Sequence, residues 1–259
     1  MKILITNDDG IDSEGLHLLC QKLAKNHEVY VVAPEGQRSA TSHCANFYKK
    51  IYVKKVEDFN GATQAYTCTG SPADCVKFAE SVLEIPFDLL VSGPNNGENT
   101  GNAILYSGTI GAAEEGVLCG YNSIALSRLG RNGSFETAVD FFVENVEKLA
   151  AFNFPNTLLN VNVPDLPKDQ IKGVKVVRDS VAKLYKDYME KQPEEDCWVS
   201  TGFRIEMLET EHDTDVVLSE EGYVTISPLT VVRTDFEVLK KLQQQVGTSV
   251  VFTLDGKKQ

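Results

Sequence analysis

Five short apolar runs, each closed by turn residues, constrain the fold of this chain more than any other feature. They are Ile3-Leu4-Ile5-Thr6, Val29-Tyr30-Val31-Val32-Ala33, Leu89-Leu90-Val91, Ile124-Ala125-Leu126 and Leu158-Leu159-Asn160-Val161-Asn162-Val163. Runs this short and continuous read as strands buried on both faces, hence mostly parallel. Between them apolar residues recur at helical spacing: Leu16, Leu19, Cys20 and Leu23, then Phe135, Val139, Phe142, Val143, Val146 and Leu149, with Ser134 as the expected N-cap of the second helix. This β-α-β-α order predicts an α/β fold with a doubly wound, mostly parallel sheet and right-handed crossovers. Its ligand crevice is expected outside the carboxyl ends of the strands. At 259 residues and 42% hydrophobic content the chain is read as a single α/β domain over residues 1–259.

Two stretches interrupt the alternation. Phe47-Tyr48 and Ile51-Tyr52-Val53, followed by Asn60-Gly61, predict a small antiparallel hairpin between Asn46 and Thr67. From Asp179 to Glu221 the chain turns acidic and irregular, with Pro193-Glu194-Glu195-Asp196 and a second run from Glu209 to Asp215. Tyr185, Tyr188, Trp198 and Phe203 make this excursion too aromatic for a freely solvated loop, so it is read as an oligomerisation arm. A homodimer or homotetramer is the expected assembly. Gly222–Pro228 returns to strand, and Asp235–Val246 reads as a terminal helix.

Charge and cysteine usage exclude several function classes. With 25 basic and 37 acidic residues the formal net charge is −12, which repels a nucleic-acid backbone, and no Lys/Arg-rich stripe offsets it. No nucleic-acid duplex is expected as a partner. No run of about 18 apolar residues is present, and the first residues lead directly into acids, so neither membrane insertion nor export is expected. Six scattered cysteines without a CxxC pair argue against zinc ribbons and disulfide scaffolds, and fit a reducing cytoplasm.

The chemistry concentrates at predicted strand ends. The first strand stops in Asn7-Asp8-Asp9-Gly10, where a turn permitted by Gly10 lets two adjacent carboxylates approach one hard cation such as Mg²⁺ or Mn²⁺. The alternative is that Asp9 or Asp12 merely caps the helix beginning near Ser13. Seven of the 19 glycines fall between Gly93 and Gly120. There the segment from Ser92 to Gly101 leads to a helix opening at Ser107-Gly108-Thr109, whose free N–H groups form an anion site. It is neither a dinucleotide fingerprint nor a Walker A loop. Glycines also serve turns and close packing, and that reading stays open. Gln37-Arg38-Ser39-Ala40 follows the second strand and brings a hydroxyl and a guanidinium toward the same crevice. Gly70-Ser71-Pro72-Ala73-Asp74-Cys75 starts a helix, either as a plain capped start with Cys75 and Val76 in the core or as part of a ligand site. His43 is read first as a lone surface histidine.

Taken in order, Asn7-Asp8-Asp9-Gly10, Ala33-Pro34 with Gln37–Ala40, Gly70–Val76, and Ser92-Gly93-x-Asn95 leading to Tyr106–Thr109 resemble the stationary-phase survival (SurE) nucleotidase family. The likeness continues through Asn160–Pro164, Thr214-Asp215 and Gly222–Leu229. The resemblance implies a divalent-metal-dependent phosphomonoesterase acting on nucleoside 5′- and 3′-monophosphates, and on short polyphosphate. It also implies one Mg²⁺ or Mn²⁺ ion held by Asp8, Asp9, Ser39 and Asn95, with catalysis assigned to Asp8, Asp9 and Asn95. The phosphate would lie on Ser107-Gly108-Thr109, and a C-terminal segment would be exchanged between subunits. Three positions depart from the family pattern: Pro94 beside the ligand Asn, Ser71 in place of Thr, and Ala103 in place of Asp. The rival reading, from another class, is a regulatory domain that binds nucleotide or phosphate without turnover.

Overall fold

The computed structural model describes residues 1–130, 133–181, 185–192, 196–204 and 211–248. Pro193, Glu194, Glu195 and Glu209 lie outside them, and the side chains of Tyr185 and Phe203 lie outside the described ones.

The five buried runs form β1 (Lys2–Thr6), β2 (Glu28–Pro34), β5 (Leu89–Asn96), β6 (Ser123–Arg128) and β7 (Thr157–Val163). β3 (Val53–Val56), β4 (Gln64–Cys68), β8 (Val174–Val176) and β11 (Val224–Thr230) complete a nine-stranded sheet in the order β3-β4-β2-β1-β5-β6-β7-β11-β8. Six of its neighbouring pairs are parallel; only β3–β4 and β7–β11 are antiparallel. The chain runs from β1 outward to β2 on one side and later to β5 on the other. β1 and β5 therefore flank the topological switch point, where a doubly wound sheet leaves its crevice.

Period-two alternation divides the core. Ile3 and Ile5 pack under α1 (Glu14–Leu23) and α4 (Glu136–Ala150), whereas Leu4 faces the layer of α2 (Pro72–Phe78) and α3 (Gly108–Leu118). Helix α4 begins one residue later than its sequence signal. Ser134 accepts the Glu136 N–H at 3.1 Å, but the N-cap is Phe135, whose ring is buried against α1. The Phe135 ring packs on Gly15 of α1, which holds that residue at the helix start.

The predicted hairpin is real but displaced. Phe47 and Tyr48 are exposed loop residues, while β3 and β4 pair antiparallel, and β4 joins the main sheet parallel to β2. Within Asp179–Glu221, β9 (Tyr185–Lys191) and β10 (Trp198–Arg204) form a separate two-stranded ribbon. The chain returns to the body at Thr214. Thr214, Asp215 and Val216 are buried there, at the start of α5 (Asp215–Glu220). Helix α6 (Phe236–Thr248) follows β11 with Phe236, Leu239 and Leu242 exposed along one side. No described helix is long and apolar enough to cross a membrane.

Candidate active site

The site grows from the end of β1. Asn7 folds back on the turn, its Nδ2 donating to Gly10 O at 3.0 Å and its Oδ1 accepting the Gly10 N–H at 3.1 Å. Gly10 takes φ +101°, and a side chain there would lie 2.9 Å from the Gly36 backbone. That tight turn stops the strand, and Asp8 and Asp9 both lie beyond its last residue, Thr6. Helix α1 is N-capped by Ser13 without a side-chain bond, so neither Asp9 nor Asp12 is the cap.

Asp8 is 3% exposed and its Oδ1 accepts the Thr109 hydroxyl at 2.7 Å. Burial pushes its carboxyl up to about 6; the neighbouring charge of Asp9 adds to that, and the Thr109 hydroxyl opposes it. Asp9 is also raised by burial, opposed by the Asn96 N–H, which donates to its Oδ2 at 3.0 Å, and by the charge of Arg128. Burial thus disfavours the ionised form of both adjacent carboxylates.

β5 supplies the facing wall. Its register with β6 shifts between Ser92 and Asn95, across the cis Gly93–Pro94 bond. Gly93 has φ +129°, and a Cβ there would sit 2.2 Å from Leu126 O, so only glycine fits the bulge that re-aims Asn95. The Asn95 amide nitrogen donates to Gly97 O at 2.8 Å, which leaves its oxygen as the acceptor. Asp8, Gln37, Ser39, Asn95, Ala103, Tyr106 and Ser107 are among the residues lining one cavity of about 520 Å³. Asp9 is not among the residues that line it; its Oδ2 accepts the Asn96 N–H at 3.0 Å.

The glycine-rich segment divides between ligand approach and packing. Ser107 caps α3, accepting the Ile110 N–H at 3.2 Å, so the helix N-terminus opens beside Asp8. A Cβ at Gly108 would meet Thr41 Oγ1 at 2.8 Å and the Asp8 side chain at 3.0 Å, and one at Gly111 would meet Ser42 O at 2.5 Å. These two glycines let the segment carrying Ser39 lie directly on α3. His43 is not a lone surface residue: its Nδ1 lies 3.1 Å from Glu114 and its Nε2 2.8 Å from Glu115. Those two bonds raise its pKa to about 9 against the effect of burial.

Ser71 and Asp74 form a reciprocal capping box, with Cys75 and Val76 in the core as the capped-start reading expects. Asp74 also accepts Asn46 N at 2.8 Å, and Arg38 Nη2 donates to Thr69 O at 3.0 Å. This turn therefore anchors both ends of the Ser39 segment and lines no cavity wall beside Asp8.

Several supporting residues carry no chemistry that sequence reasoning could assign. Asn99 is buried, its N–H donating to Asn162 Oδ1 at 2.9 Å and its carbonyl accepting Asn160 Nδ2 at 2.8 Å. Asp215, fully buried, accepts Gly101 N at 2.9 Å as well as Ser180 N and Val216 N. The available signal was two asparagines two residues apart in a buried strand, where polar groups must have partners. It marks them as bonded but not to what.

Fold and site together define a doubly wound α/β protein in which an acid pair and a helix N-terminus meet at the switch point of the sheet. The family model described as Survival protein SurE matches residues 3–186. Proteins named 5′-nucleotidase SurE from Thermosipho melanesiensis and Trichodesmium erythraeum are 38% and 40% identical, over 95% and 88% of this chain and 97% and 91% of theirs. The crystal structure of the SurE protein from Aquifex aeolicus superposes with a TM-score of 0.82 at 34% identity, covering 94% of this chain and 99% of that one. The chain belongs to the SurE family.

Proposed function

We propose that this protein is a nucleotidase: a divalent-metal-dependent phosphomonoesterase that hydrolyses nucleoside 5′- and 3′-monophosphates and also accepts short polyphosphate. The observation that carries the reading is the direct bond from Thr109, in the first turn of α3, to the buried carboxylate of Asp8. It joins a cation-seeking acid to an anion-seeking helix end, the pairing a phosphate ester bridged to a metal ion requires. The relatives named 5′-nucleotidase support the activity.

A resident Mg²⁺ or Mn²⁺ fits the donors present. Asp8, Asp9, Ser39 and Asn95 offer only oxygen, as a hard cation prefers. Among the described residues no three His, Cys, Asp or Glu side chains cluster around one ion position. Two carboxylates and two neutral oxygens would leave coordination positions for water and phosphate. When bound, such an ion neutralises charge on the phosphoryl group and promotes ionisation of water.

The protein's own residues do the rest. Asp8 and Asp9 place negative charge opposite the phosphate, and Ser39 and Asn95 complete the oxygen set. In the Ser107-Gly108-Thr109 turn the Ser107 N–H already donates to Ile104 O, so the helix opening at Gly108 is what would hold the non-bridging oxygens as charge builds on them. Attack of water forms one P–O bond while the bond to the nucleoside oxygen breaks, and a proton passes to the departing alkoxide. Asp8, tied to Thr109 and serving as a ligand of such an ion, would be poorly disposed for in-line attack, which favours water over an aspartyl phosphate.

Phosphate release from a panel of nucleoside monophosphates, with Mg²⁺ or Mn²⁺ and again after chelation, tests this reading. Release abolished by chelation supports it; tight nucleotide binding without release under any condition would make the protein a regulatory binder instead. Rapid quench with detection of a labelled Asp8 adduct would replace the water mechanism. Assembly as a homodimer or homotetramer is part of the proposal, supported by the exposure of Trp198 at 61% on the β9–β10 ribbon and Phe236 at 67% on α6. A cytoplasmic setting is supported by the six cysteines, all free.

A further inference from the structure

We infer that Arg128 is a positioning residue for the acid pair, acting through Asn96; the inference rests on the cation-binding reading above. Arg128 is the last residue of β6 and is 1% exposed. Its Nη2 donates to Asn96 Oδ1, its Nη1 donates to Asp165 Oδ2 at 3.1 Å, and its guanidinium lies 4.8 Å over the Phe135 ring. Gly97 N donates back to the Arg128 carbonyl at 3.0 Å. Asn96 is thereby gripped by its side chain, and its N–H is the donor that holds Asp9 Oδ2 at 3.0 Å. The preceding residue is Asn95. One guanidinium thus fixes the segment that bears the fourth oxygen donor and orients the second carboxylate.

Stability does not explain this arginine. Its Nε is buried without a partner, and a buried guanidinium with an incomplete set of hydrogen bonds is poorer than a packed apolar side chain. Nor does electrostatic attraction, because a fixed positive charge beside Asp9 opposes the arrival of a divalent cation. A planar fork locked by Phe135 and Asp165 supplies direction, which a lysine in its place would not.

These two roles predict opposite signs, and calorimetric titration of Mg²⁺ or Mn²⁺ into the metal-free full-length protein separates them. If Arg128 positions Asp9, Arg128→Met binds the cation roughly 10–100-fold more weakly although a repelling charge is gone, and Arg128→Lys fails to restore affinity. Asn96→Ala, at an exposed side chain, weakens binding in the same direction and carries the test should Arg128→Met not fold. Thermal midpoints recorded alongside identify that case. Unchanged or tighter binding in folded Arg128→Met, or in Asn96→Ala, overturns the inference and leaves Arg128 a bystander charge. If the parent protein itself binds neither cation, the cation reading fails first and this inference with it.

Discussion

Asp8 meets opposing demands: it is buried enough to be pushed toward neutrality, yet placed where a charge is needed. Asp8→Asn keeps the volume and the acceptor for Thr109 while removing that charge. Phosphate release should fall by a factor on the order of 10²–10³ or more, with the thermal midpoint of the metal-free protein unchanged or raised, because a poorly solvated carboxylate is gone. Retained turnover at saturating metal would remove Asp8 from the site. Ser39→Ala deletes a neutral donor that water can replace, so it should raise the metal concentration needed for half-maximal rate with a smaller loss at saturation. Both residues were legible in the sequence as chemical types at strand ends. Their partner Thr109 was legible only as part of a glycine-rich turn, since no local pattern tells that a residue a hundred positions away donates to Asp8.

At the scale of elements, the segment from Arg38 to Asn46 is placed by α3 and by the capped start of α2. Gly111→Ala would drive a methyl into the Ser42 carbonyl and the His43 backbone, groups that do not yield as a flexible side chain would. Unfolding stability should drop by roughly 1–3 kcal/mol, and the metal requirement should rise as Ser39 shifts; wild-type values for both would show that the segment relaxes freely. Gly108→Val should weaken phosphate and cation binding together, because its Cβ faces Asp8 as well as the helix entrance.

The same segment carries a pH dependence. His43 has a folded pKa near 9 against an ordinary 6.5, so its contribution is fully present below pH 6.5 and is lost as pH rises toward 9. Lys77 and Arg233 share the two glutamates with it. The stability difference between parent and His43→Gln, measured by denaturant unfolding, should be about 1–2 kcal/mol at pH 6 and shrink steadily to pH 9.5. A difference independent of pH would mean that His43 does not bear the charge its two glutamates favour.

For the whole molecule, Tyr188 and Trp198 on the β9–β10 ribbon and Phe236 on α6 are exposed aromatic residues at a distance in sequence from the catalytic motifs. Arg178 pairs with Glu211 and Asp213 at the base of the ribbon, and Asp215 just beyond holds the Gly101 loop. Replacing residues 182–210 by a short Gly/Ser bridge therefore removes the ribbon without touching that staple. Sedimentation should show a dimer or tetramer for the intact protein and a smaller species for the excised one, with the sheet domain still folded. An intact protein that sediments as a monomer at micromolar concentration would end the arm reading.

The sequence by itself determined the α/β layering, because continuous apolar runs and helical spacing are local signals written in the order the chain is read. It also determined the chemical types at the strand ends, since Asp8, Asp9 and the Ser107-Gly108-Thr109 turn declare themselves by residue type. Only the tertiary structure decided which glycines serve a ligand and which serve packing, why Phe135 and not Ser134 begins α4, and that His43 is a clasp. It alone brought Arg128, Asn99, Asn160, Asn162 and Asp215 into the scaffold of the site. Those scaffold roles rest on hydrogen bonds between residues such as Asn99 and Ser127, 28 positions apart, and Gly101 and Asp215, 114 apart, and a contact of that reach exists only once β1 and β5 lie side by side and the loops beyond them have somewhere to bond.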